Sequence, residues 1–120
     1  MNPSTPEQEF QAGADAFRDG RHAEGAEHLR RAAFAGHPEA QNQLARIYFA
    51  RLKTRTDLLD LETAAQSGDH VALFVLAMTL IEGRLIDKDT DKALTALRHA
   101  ATRGNLMAQT MLQATTPPTE

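Results

Sequence analysis

Five histidines, one acidic cluster and one alternating Asp motif are the side chains here whose types suit chemistry. The histidines are His22, His28, His37, His70 and His99. None forms an HxxxH or HExxH pair, and no cysteine completes a zinc set. His37 and His70 follow Gly36 and Gly68 by one and two residues, which places them at turns or helix starts rather than at a metal. In "DKDTDK", Asp87, Asp89 and Asp91 alternate like the first ligands of an EF-hand loop. Lys92 then stands where that loop needs Gly, and Arg98 where it needs a bidentate Glu. Acidic residues ahead of a helix cap it and oppose its positive end, which is the better reading of these three.

Asp57, Asp60 and Glu62 in "TDLLDLE" have the residue types of acid–base or glycosidic chemistry. They fall in the first turns of an expected helix, where negative charge serves the helix itself. There is no glycine-rich phosphate loop, no G-x-S-x-G and no thiol nucleophile, and Ser4 and Ser67 are the only serines. The expectation is a protein that is not an enzyme and takes no cofactor and no metal.

The chain of 120 residues is long enough for one domain with its own core, and 42% hydrophobic with 24% charged residues fits a folded soluble protein. Residues 1–60 hold eight Lys/Arg and nine Asp/Glu, and residues 61–120 hold five and seven. Neither half is basic. The densest basic run, Arg46, Arg51, Lys53 and Arg55, reads as a solvated helix end and loop, so no nucleic acid is expected. "MNPSTPEQEF" lacks the basic and apolar regions of a secretory signal. The most apolar stretch, Val71 to Ile81 with Thr79 its one polar residue, is too short to span a bilayer. No membrane association is expected, and the cytoplasm is the expected location.

The elements that must position any site emerge from an internal repeat. "AAFAGHPEAQNQLA" (32–45), "AAQSGDHVALFVLA" (64–77) and "AATRGNLMAQTMLQ" (100–113) each read Ala-Ala-x-x-Gly-x-x-x-Ala-x-x-x-Leu. Small residues suit two closely approaching helices, and Gly ends a helix in the left-handed conformation. Ala and Leu four residues apart then share one face of the next helix. The intervals between turns carry helical stripes too, as in Ala93, Leu94, Leu97, Ala100 and Ala101, with Asp89 or Thr90 as cap. Seven helices are expected near 6–19, 22–35, 38–52, 57–67, 70–83, 89–103 and 105–114. Residues 6–114 would form the domain, with Pro/Thr-rich disordered tails at 1–5 and 115–120.

The third interval, "AMTLIEGRLIDKDTDKALTALRHAATRGNLMAQTML" (77–112), resembles a Sel1-like repeat. Gly83, Ile86, Asp87, Lys92, Ala93, Leu97, Ala100, Ala101 and Gly104 occupy the places of that pattern. The first interval is closer to a tetratricopeptide repeat, with Gly20, Leu29 and Ala32 in register but Gly25 where a small Ala is usual. The second, "RIYFARLKTRTDLLDLETAA", departs by having no glycine after its first helix. The resemblance implies an all-α fold, a right-handed α-solenoid of about three and a half helix-turn-helix repeats. It also implies a non-catalytic adaptor or scaffold whose concave face is lined by alternate helices.

Carrying the repeat register across gives a map of that concave face: Phe10, Phe17 and Arg18, then Asn42, Arg46 and Phe49, then Val71, Phe74, Met78 and Ile81, then Met107. Glu39 and Thr110 fall on the same face. Four of the five phenylalanines are among these positions. Such a groove would hold an apolar helix or peptide from another protein, or a second copy of the chain, by burial of area. Closure of the neighbouring helices on one another would instead make these side chains ordinary core. A further alternative is the repeat region or regulatory subunit of a larger enzyme.

Overall fold

Each Ala-Ala-x-x-Gly segment ends one helix and starts the next by the same set of hydrogen bonds. Gly36, Gly68 and Gly104 have φ of +98°, +103° and +104°, where a side chain would be strained. The next residue donates its N–H back to the first Ala: His37 to Ala32, Asp69 to Ala64 and Asn105 to Ala100, at 3.0, 3.1 and 2.9 Å. That same residue then accepts from the helix it opens. His37 Nδ1 takes the Ala40 N–H at 3.1 Å. Asp69 Oδ1 takes those of Val71 and Ala72, both at 3.0 Å, and Asn105 Oδ1 takes that of Ala108 at 2.9 Å.

The computed structural model describes residues 5–115, and among these the chain is all helical. In chain order the helices are α1 (Pro6–Arg18), α2 (His22–Phe34), α3 (Pro38–Arg51), α4 (Arg55–Gln66), α5 (His70–Glu82), α6 (Thr90–Thr102) and α7 (Leu106–Thr115). The expected tails lie mostly outside the described residues. Thr5 caps α1 in a capping box with Gln8, and Thr115 still belongs to α7. The expected start of α4 moves from 57 to 55 because Thr54 and Asp57 form a second capping box.

Successive helices pack on one another, except that α4 packs on α5 rather than on α3, while α3 lies against α5 and meets α7. The molecule measures 45 × 41 × 21 Å, so its short dimension is about two helix diameters. Ala33, Ala40, Ala72, Ala100 and Ala108 are fully buried, where small side chains let helices approach. The apolar α5 is central, touching α3, α4 and α6, and Val71, Ala72, Phe74, Val75, Ala77 and Leu80 are buried there. Its lack of a polar face follows from having neighbours on several sides. Among the described residues no helix is long and apolar enough to cross a membrane.

The glycine missing after α3 is compensated from elsewhere. Arg84 Nη2, in the α5–α6 loop, donates to the Leu52 carbonyl at 2.8 Å and so satisfies the end of α3. That loop is itself held by the Asp89 N–H on the Leu80 carbonyl at 3.0 Å.

Candidate interaction groove

Alternate helices α3, α5 and α7 bring Asn42, Phe74, Met107 and Thr110 together, along with Pro38, Gln41, Leu106 and Met111, around an open groove of about 410 Å³. No charged side chain lines it. Phe74 forms a largely buried wall at 7% exposure, and Asn42, Met107 and Met111 are half-buried.

Two long-range clamps fix the start of α7 against this groove. The Gln41 side chain, fully buried, donates to the carbonyls of Ala33 and Gly104 at 2.9 and 3.0 Å and accepts the Leu106 N–H at 2.8 Å. Asn105 Nδ2 donates to His70 Nδ1 at 3.2 Å. Neither partner was expected from the sequence, although a signal exists. Gln41 and Gln109 both stand five residues after a turn glycine, and Gln109 likewise donates to the second Ala of its turn, Ala101, at 2.9 Å.

Other residues mapped to the concave face sit elsewhere. Val71 is fully buried and is a core residue, which corrects its assignment to an open face. Phe17 packs on Gly25 of α2 instead, where an added Cβ would come within 2.9 Å of the ring. Phe10 stacks on His37 with ring centroids 4.4 Å apart. Arg18 is exposed and pairs with Asp15 at 3.0 Å. Arg46 is exposed on α3, and Phe49, Met78 and Ile81 are half-buried against the core without lining this groove.

A second, polar cleft of about 310 Å³ opens where α3 and α4 diverge, lined by Arg30, Tyr48, Arg51, Asp57, Asp60 and Asp69 among others. Tyr48 Oη donates to Asp69 Oδ2 and accepts from Arg30 Nε at 3.5 Å. Burial first, and then the Asp69 carboxylate, pushes the Tyr48 phenol up to about 12. Asp57 is occupied by its cap, accepting the Lys53 and Thr54 N–H groups at 3.0 and 2.8 Å, which holds its carboxyl below the ordinary value. Glu62 lies apart, on a depression shared with Lys92, His99 and Arg103, so the three acids do not converge on one site.

Two histidines tie helices together. His28 Nδ1 meets Glu9 Oε2 at 2.6 Å and His37 Nε2 meets Glu7 Oε2 at 2.6 Å, tying α1 to the two elements beside it. The hydrogen bond from His37 lowers the Glu7 carboxyl, with Gln11 assisting. Asp89 caps α6 through the Lys92 N–H at 3.0 Å, and among the described residues no three potential ligands gather around a metal-sized space.

Comparison with known proteins adds no further assignment: no family model, no curated protein and no solved structure matches this chain.

Proposed function

We propose that the chain is a right-handed α-solenoid of Sel1-like or tetratricopeptide-like repeats acting as a non-catalytic interaction module. Its α3–α5–α7 groove takes an apolar amphipathic helix or peptide, or the same face of a second copy. The observation that carries this reading is the convergence of Asn42, Phe74 and Met107 from alternate helices on one open, uncharged groove. A surface of this kind binds by burying two or three apolar anchors at i, i+3 or i+4 spacing. The threefold recurrence of one turn, with identical backbone bonds, supports the repeat assignment.

Selection from a displayed library of amphipathic helical peptides tests the proposal. Enriched peptides should carry two apolar anchors one helical turn apart and should shift amide resonances of Asn42, Thr110 and Met111. Self-association through the same face would appear as a concentration-dependent mass in sedimentation. A library that enriches nothing, with a strictly monomeric mass at high concentration, would sink the reading.

A further inference from the structure

The joint between α5 and the α6–α7 turn contains a buried imidazole whose Nδ1 faces an amide donor. His70 is 3% exposed at the first position of α5, and its Nε2 has no hydrogen-bond partner. The Asn105 amide beside it cannot turn over, because its Oδ1 caps α7 through the Ala108 N–H. Asn105 Nδ2 must therefore face His70, and His70 Nδ1 must accept. The single proton sits on the buried Nε2, and the ring of Phe34 packs against the imidazole at a tilt of 56° with centroids 5.5 Å apart.

We propose that His70 is an acid-sensitive latch for α7: protonation at Nδ1 sets two donors face to face, breaks the Asn105 bond to the ring, leaves Nδ2 only its 3.5 Å approach to the His70 carbonyl and loosens the α6–α7 turn from α5. The helix so loosened supplies Leu106, Met107, Thr110 and Met111 to the groove, so acidification weakens that wall while the Gln41 clamp still holds Gly104 and Leu106. As a regulation of the groove this rests on the proposed function, but the latch itself does not.

The surroundings favour the neutral ring. Burial lowers the His70 pKa from its ordinary value, Arg103 at the end of α6 acts the same way, and Asp69 opposes both. The N-terminus of α5 adds further positive potential. The groups in contact with the ring from other elements, Phe34 of α2 and Asn105 of the α6–α7 turn, are uncharged. A folded-state pKa below the unfolded one means the docked joint is favoured above about pH 6.5 and loosens as pH falls below it.

Amide hydrogen exchange on the whole chain, corrected for intrinsic rates, provides the test without any ligand. Between pH 7.5 and pH 5 the protection of residues 107–111 should fall, by up to about thirtyfold, the limit for a docked ring that takes no proton and a released one titrating near 6.5. Protection across α2 and α3 should fall much less. In His70→Gln the pH dependence at 107–111 should vanish while protection elsewhere stays.

Should that variant not fold, the wild-type His70 ring resonance decides: it must titrate below 6.5 and in step with the α7 amides. Unchanged α7 protection at pH 5, an equal fall in His70→Gln, or a His70 that titrates normally while α7 stays docked would each overturn the proposal. Loss of latching with peptide binding intact refutes the latch alone. Latching without any peptide binding refutes the groove function alone.

Discussion

Gln41 and Leu106 stand 65 positions apart, yet the Gln41 side-chain oxygen accepts the Leu106 N–H at 2.8 Å. The same amide group donates to Ala33 and Gly104, so one fully buried side chain joins the ends of α2, α3, α6 and α7. Buried polar groups stripped of their partners cost more than the bond was worth. Gln41→Leu should therefore lower unfolding free energy by about 2–4 kcal/mol, measured by urea unfolding, from roughly 0.5–1.5 kcal/mol for each of three bonds. Unfolding within about 0.5 kcal/mol of wild type would show that the clamp contributes little beyond what a surface change does.

Tyr48 is the only tyrosine and the chain has no tryptophan, so its ionisation can be followed by absorbance without interference. The midpoint should lie near 12, where an exposed phenol titrates near 10. The folded chain holds this proton more tightly than the unfolded chain does. The associated stability is thus complete below pH 10 and disappears as pH rises through about 12. Asp69→Asn keeps an N-cap residue but removes the charge, and should move the midpoint down while burial keeps it above 10. A wild-type midpoint near 10 would mean that the phenol is not held in the Asp69 contact.

Gly25 permits the close seat of Phe17, whose ring lies within 3.0 Å of where a Cβ would be. Gly25→Ala gains up to about 1 kcal/mol of helix propensity, against an overpacking cost of roughly 1–3 kcal/mol. A net loss of stability is expected. In the background of Phe17→Ala the same change should become stabilising, and that reversal in a double-mutant cycle is the diagnostic. Additive effects would show that the ring moves aside freely.

The turn glycines and their Ala-Ala partners announced the helix ends, because a left-handed glycine and a tight helix contact leave few residue choices. The Thr54–Asp57 capping box is legible in the sequence too, but with no glycine marking the turn the pattern puts the helix start two residues late. On the groove, the common register found Asn42, Phe74 and Met107. It failed at Val71, which occupies the same position as Met107 after its turn glycine. A register treats units alike, whereas α5 packs on α3, α4 and α6 and α7 packs mainly on α6, with a smaller contact on α3. For Gln41 the only signal is its recurrence as Gln109 five residues after a turn glycine, and that does not reveal a reach across to residue 106.

The difference between Phe74 and Met107 provides the decisive contrast for the groove. Phe74 is nearly buried, so Phe74→Glu would place a charge in the core at a cost on the order of 3–5 kcal/mol and would unfold much of the protein. Its failure would say nothing about binding. Met107 and Met111 are half-buried on the groove wall, and Met107→Glu should leave the helical signal intact and shift melting by only a few degrees. Peptide capture should nevertheless be lost. Methyl-labelled methionine reports both outcomes in one spectrum: a bound apolar peptide should move the Met107 and Met111 resonances and leave that of Met78, which packs on the core outside the groove, in place. If Met78 moves and the α7 pair does not, the ligand sits on another face and α7 is no part of the site.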